Sequence, residues 1–361
     1  MLFCIFLLYV GISFERIFHI FEKILTMKKV ALVLSSGGAR GFAYIGAIEE
    51  LERRGYTITS VAGCSIGSLI GGVYASGKMR EFKEWLFALD NKKVLSLLDV
   101  SISKSYLVKG DRLMESIMEV VPDVNIEDLP IPYTAVATDL YTGEEIVFTK
   151  GKLFDAIRAS ISIPTTFRPV KYGHRTLVDG GLVNTIPLNR VARTEGDILV
   201  GFNVNEIDAT GINKFLKEMF VLNKDMNEYS QDSLLNIEKV AQNKNKTLLE
   251  KIKEAGSLGE SYLKYSMQMN SRQKTLKEEG EKQRVFIEAD DNYYSIITRC
   301  FSITNHVVAK MMIESCPPDV LVQMPLDALP YNNAYAKGKE ISEIGRKLMA
   351  EALDEYENSK L

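Results

Sequence analysis

At 361 residues, with 46% hydrophobic and 25% charged residues, the chain has the composition of an ordinary globular protein, large enough for one big α/β domain or two smaller ones. A net charge of -3 provides no basic stripe, which sets nucleic acid aside as a partner. Cys4, Cys64, Cys300 and Cys316 form no CxxC or CxH spacing, and His19, His174 and His306 are equally dispersed, so neither a metal cluster nor a disulfide framework is expected.

Residues 1–26 form a hydrophobic N-terminal segment. Its run "MLFCIFLLYVGISF" is 14 residues long, short of the roughly 20 that cross a bilayer as a helix. No Lys or Arg precedes it, and no small-x-small cleavage site comes before Glu15 and Arg16, so it makes a poor signal peptide. The mixture in "FERIFHIFEKIL" leaves an interfacial anchor open. The preferred reading starts translation at Met27, with "MKKVALVLSSGG" running straight into a strand.

From Val30 to Leu34 the chain reads as a strand, "SSGGARG" as a loop, and "FAYIGAIEELERRG" as a helix whose Ile45, Ile48 and Leu51 recur at helical spacing before Gly55. "YTITSVAG" is a second strand, "CSIGSLIGGVYASG" a turn entering a small-residue helix, and "MREFKEWLFALD" another helix. This β-α-β-α order implies a mostly parallel sheet covered by helices. "IPYTAVATDL" and "YTGEEIVFTKG" follow as two strands joined through a Thr-Gly turn, "LFDAIRASI" as a helix, "RTLVDGG" as a strand ending in a glycine turn, and "DILVGFNVN" as a buried strand. Residues 206–290 shift to Lys, Glu, Asn, Gln and Met. There Leu234, Ile237, Ala241, Leu248 and Ile252 fall largely on one helical face, which predicts a helical insertion or cap docked on the core. The last segment, 291–361, carries the strand "DVLVQMPL" and a closing amphipathic helix. The expected units are therefore 1–26, a core over 27–205, the insertion over 206–290, and the completion of the core over 291–361.

Three pieces carry chemistry. "GCSIG" sets Ser65 between Gly63 and Gly67, directly after a strand and before a helix. A nucleophile elbow needs that context, since the turn is too sharp for neighbouring side chains; the plainer reading makes Ser65 a helix N-cap. "SGGARG" offers backbone N–H groups at the start of a helix, suited to a developing negative charge. It has neither the P-loop form nor G-x-G-x-x-G, which disfavours a nucleotide, and its Arg40 is suited to a lipid phosphate or an internal carboxylate. "VDGG" sets Asp179 at a strand end, either facing a shared cleft or forming a common Asp-Gly turn.

Taken in order, the aliphatic strand into "SGGARG", then "GCSIG", "ASISIPTTFRPV" and "LVDGGLVNTIPL" resemble the patatin-like phospholipase family from about Lys28 to Asn205, and "PDVLVQMPL…AKGKEISEIGRKL" resembles its last strand and helix. The resemblance implies a three-layer α/β/α fold with an inserted helical segment. It also implies a Ser-Asp dyad that cleaves acyl esters of lipids without histidine, metal or cofactor. Ser65 is then the nucleophile and Asp179 the base, with Gly180 and Gly181 completing the DGG motif. The N–H groups of Gly37, Gly38, Ala39, Arg40 and Gly41 form the oxyanion hole. A free Asp, at about 3.9, is a weak base for serine, so its surroundings must raise it. The family often has small residues where this chain has Cys64 and Ile66, which narrows the acyl site and leaves the elbow intact.

The expected partner is a phospholipid or other acyl-ester lipid, met in the cytoplasm or at a membrane surface by transient association. Two alternatives stand beside this one. A Ser65-Asp179-His306 triad would follow the chain order of α/β-hydrolases, although His306 lies in the helix-like "FSITNHVVAKMM". A non-catalytic lipid-binding scaffold would keep the fold without turnover.

Overall fold

The structure is a computed structural model, and it describes residues 28–97, 99, 106–207, 293–326 and 334–360. The N-terminal segment 1–26, and all of the 206–290 insertion beyond its first two residues, lie outside them, as do Leu234, Ile237, Ala241, Leu248 and Ile252.

Strand β1 (Lys28–Leu34) is buried from Val30 onward and on both faces, as its unbroken aliphatic run requires. It pairs in parallel with β2 (Tyr56–Cys64) on one side and β9 (Asp197–Glu206) on the other. Strand β10 (Val320–Pro325) extends the sheet beyond β9, and β4 (Tyr133–Asp139) lies beyond β2, both in parallel. Strands β5 (Glu145–Phe148) and β8 (Arg175–Asp179) pair with β4 antiparallel, and β7 (Val170–Tyr172) pairs antiparallel with β8. The sheet is mixed and mostly parallel, as expected. The β7–β8 hairpin and a small separate pair, β3 (Tyr106–Val108) with β6 (Thr165–Phe167), are additions to the expected elements.

The sides of β1 separate the layers. Val30, Leu32 and Leu34 belong to the larger core, together with residues of α1 (Ala43–Arg53), α2 (Ile66–Ala75), α6 (Leu153–Ser160) and α8 (Gly338–Asn358). Ala31 and Val33 face the opposite way. There they join Ile186, Leu188 and Ala309 of α7 (Tyr293–Ser315) in a smaller core. Helix, sheet and helix thus form three layers. Between α1 and α8 the backbones touch: a Cβ on Gly46 would overlap the Ser342 carbonyl, and one on Gly345 the Ala43 carbonyl. Helices α3 (Met79–Phe87), α4 (Asn91–Leu97) and α5 (Asp111–Met118) complete the α-helices of the described residues. Among the described residues no helix is long and apolar enough to cross a membrane.

One pairing detail positions the candidate site. Strand β2 occupies an edge of β4 from Tyr133 to Val136, and β8 occupies β4 from Ala137 to Asp139. Because β5 spans Ala135 to Thr138, it holds the opposite edge, and β2 and β8 must share one edge end to end. They run in opposite directions, so their C-terminal ends meet: Cys64 is opposite Val136, and Asp179 is opposite Ala137.

Candidate active site

Ser65 follows the end of β2 with φ 52° and ψ -121°. A left-handed φ in a non-glycine residue costs energy and persists only where the surroundings enforce it. The enforcement is visible. A Cβ on Gly63 would overlap the Gly67 carbonyl, and one on Gly67 the Leu34 carbonyl, so the elbow folds onto itself and onto the end of β1. The Ser65 N–H donates to Ser160 Oγ at 2.8 Å, and Ser160 in turn donates to the Val136 carbonyl at 2.7 Å. Ser160, within the "ASISIPTTF" block, therefore ties the elbow to β4. Although Ser65 stands at the N-cap of α2, its side chain makes no capping bond. Its hydroxyl is not spent on the helix, and the residue is only 2% exposed.

Asp179 is fully buried at the end of β8. Its backbone is held on both sides: its N–H donates to the Ser162 carbonyl at 2.9 Å, and its carbonyl accepts from Thr138 Oγ1 at 3.0 Å. Its two carboxylate oxygens divide the two readings of "VDGG". Oδ1 accepts from the Gly181 N–H at 2.8 Å, the ordinary Asp-Gly turn, and lies 3.9 Å from the Cys64 thiol. Oδ2 has no hydrogen-bond partner. Burial raises the Asp179 carboxyl to about 6, against the opposing pull of the Ser65 hydroxyl, the Gly181 amide and the Cys64 thiol. The Ser65 hydroxyl is thus near enough to Asp179 to exert part of that pull. Burial also pushes the Cys64 thiol well up, so this thiol is no rival nucleophile. Gly180 is required as well, because a Cβ there would overlap the Val136 carbonyl.

The glycine loop completes the cluster. Ser35 and Ser36 donate their N–H groups to Phe202 and Thr185, which fixes the loop against β9 and the segment after the DGG turn. Gly38–Phe42 then forms a 3-10 turn leading into α1, with Gly38 at φ 58°. A Cβ on Gly37 would overlap the Val204 side chain, and one on Gly41 the Ile66 side chain. The loop is thus wedged between β9 and the residue after Ser65. Among the described residues, Gly37 and Gly38 donate no hydrogen bond to a backbone carbonyl, as befits the first amides of a helical turn.

Two expected roles meet other partners. Among the described residues Arg40 pairs with no carboxylate: its Nε donates to the Val204 carbonyl at 2.9 Å and its Nη2 lies 3.4 Å from Asn205 Oδ1. It braces the loop on β9, because the 3-10 turn aims it there. The triad fails on the imidazole. His306 Nδ1 is 2.9 Å from the Asn205 carbonyl and 3.2 Å from the Ile207 N–H, so the nitrogen that an aspartate must hold is occupied at the end of β9.

The structure also adds Ser36 and Asn305. Asn305, on α7, is 4% exposed. Its Nδ2 donates to Ser36 Oγ at 3.4 Å, and its Oδ1 has no partner. A polar residue on a helix reads as surface in sequence, and no local signal marks this one as buried. Among the described residues no group of His, Cys, Asp and Glu is arranged to hold a metal ion.

Residues 32–192 match the model of the patatin-like phospholipase family. An uncharacterized NTE family protein of Mycobacterium tuberculosis is 43% identical over 181 residues, 50% of this chain and 50% of the relative. A patatin-like phospholipase domain-containing protein of Caenorhabditis elegans is 33% identical over 60% of this chain and 17% of its own length. The neuropathy target esterase sws of Drosophila persimilis is 36% identical over 45% of this chain and 12% of its own length. The chain thus spans about half the length of the mycobacterial relative and a small fraction of the two animal ones.

Proposed function

We propose, for a chain that carries a patatin-like phospholipase domain, that it is a serine lipid acyl hydrolase working through a Ser65-Asp179 dyad. The observation that carries this reading is the shared edge of β4, along which the ends of β2 and β8 meet. It brings together a strained serine with an uncommitted hydroxyl and a buried carboxylate with an unpaired oxygen. In the first half-reaction Asp179 Oδ2 accepts the Ser65 proton as Oγ attacks the ester carbonyl. Amides of the Gly37–Gly41 loop stabilise the oxyanion. Asp179 then returns the proton to the departing alcohol, leaving an acyl-enzyme. A carboxyl near 6 is ionised at neutral pH and basic enough to take part. The chemistry routes no step through a metal.

The substrate class is an acyl ester of a lipid, with phospholipid or lysophospholipid as the leading members, encountered in the cytoplasm or at a membrane surface. An active-site-directed fluorophosphonate should label the protein and fail to label Ser65→Ala. Fatty acid release should be read from phospholipids, lysophospholipids, acylglycerols and short p-nitrophenyl esters, with Ser65→Ala as the blank. Turnover of short esters alone would reduce the reading to an esterase. Equal labelling of both proteins would remove Ser65 as nucleophile, and no labelling of either would leave a lipid-binding scaffold. His306→Ala should keep its activity.

A further inference from the structure

We propose that Asn305 is the positioning residue for the water that hydrolyses the acyl-enzyme, an inference that rests on the serine-hydrolase reading above. Two buried oxygens on side chains around the DGG turn have no protein partner, Asp179 Oδ2 and Asn305 Oδ1. They belong to side chains that converge on one spot. A Cβ built on Gly181 would lie 2.9 Å from Asn305 Oδ1, 3.0 Å from Asp179 Oδ1 and 3.1 Å from Ser36 Oγ. Leaving a buried acceptor unpaired costs on the order of 1–3 kcal/mol, and here each of two side chains that meet beside Gly181 keeps one such oxygen, open to something that brings donors. An attacking water brings two. One O–H directed at Asp179 Oδ2 gives up its proton to the base, while the other, donated to Asn305 Oδ1, fixes the direction of the oxygen lone pair. Asn305 Nδ2 is anchored at 3.4 Å on Ser36, the residue just before the glycine loop, so the acceptor is held in register with the oxyanion amides. Acylation needs none of this, because Ser65 is attached to its own strand.

The step balances. The water proton moves to Asp179 Oδ2 as the water oxygen bonds to the acyl carbonyl carbon. The tetrahedral intermediate then collapses by breaking the bond from that carbon to Ser65 Oγ. Asp179 returns its proton to Oγ, releasing the fatty acid.

The test separates the two half-reactions in the full-length chain. Asn305→Ala should react with fluorophosphonate at the wild-type rate and give a stoichiometric burst of p-nitrophenol from a p-nitrophenyl ester. Its steady-state turnover should fall about a hundredfold, with a mass increase of one acyl group on the protein. Added hydroxylamine, a strong nucleophile with less need of orientation, should restore turnover by forming the hydroxamate. Labelling that falls in parallel with turnover makes Asn305 merely structural and overturns the inference, as does unchanged turnover. A wild type that neither labels nor turns over removes the hydrolase reading together with this one.

Discussion

The two ends of the β1–β2 unit are built on opposite terms. At the carboxyl ends of the strands, Ser65 is strained, Asp179 and Asn305 each keep a bare buried oxygen, and burial lifts the Asp179 carboxyl to about 6. At the other end charges are matched. Glu50 takes both Arg53 and Arg54, Arg54 reaches Asp354 and Glu357 of α8, and Glu357 also binds Lys28 and Tyr56. There the Arg53 hydrogen bonds, with Arg54 beside them, hold the Glu50 carboxyl at about 2. One end lowers the energy of its charges and the other raises it. The contrast teaches that this fold pairs its charges at the end remote from the strained serine and leaves polar groups unpaired beside it, a division common where activity needs strained groups.

The largest effect should come from breaking the reactive end. Ser65→Ala or Asp179→Asn should lower kcat/KM by about a thousandfold or more with the fold retained, as seen by circular dichroism and kinetics together. In the wild type, log kcat/KM should fall with unit slope below about pH 6 as Asp179 protonates. A pH-independent rate down to pH 4 would remove Asp179 as base.

Next comes the helix seam. Gly345→Ala forces a methyl into the Ala43 carbonyl and should cost about 3 kcal/mol or more in denaturant unfolding. Residual activity at low temperature should survive it, since the dyad is on other elements.

Asp179→Asn should have a second face. A carboxyl raised in the folded state from 3.8 to about 6 contributes its full stability below pH 3.8 and loses it as pH climbs through 6. Replacing it should therefore stabilise the protein by about 3 kcal/mol above pH 6 and by nothing near pH 3.5. A variant that is inactive yet melts higher at pH 8 would state the contrast between the two ends in one molecule.

The smallest effect belongs to Glu50→Gln. A carboxyl lowered to about 2 stabilises above pH 4.5 and ceases to do so as pH falls toward 2. The loss at pH 7 should be about 1–2 kcal/mol, moderated by the solvent around Arg53, with kcat/KM unchanged.

Much of this was legible in the chain. The apolar run before "SSGGARG", the glycines around Ser65 and the helix after it are local features, and local chemistry determines them. Burial raises the Asp179 carboxyl to about 6, the direction that a base for serine would need. What escaped is non-local. That β8 runs antiparallel and takes over the edge of β4 where β2 stops depends on register between distant strands, which "RTLVDGG" alone does not encode. Ser160 and Asn305 looked like ordinary helical polar residues, and only packing reveals that one clamps the elbow and the other faces the DGG turn. The carbonyl that Arg40 meets, that of Val204 on β9, is likewise far away in the chain.

The head-on meeting of β2 and β8 also sets a clock. During synthesis β1, α1, β2 and the elbow emerge from the ribosome long before "RTLVDGG" does, and contacts between segments so far apart form late. Until β8 docks on the remaining edge of β4, Ser65 has no carboxylate beside it. On the proposed mechanism, a nascent or truncated chain that ends before Asp179 is therefore inert, and a lipid hydrolase built this way stays harmless to the membranes around it until most of its core is made.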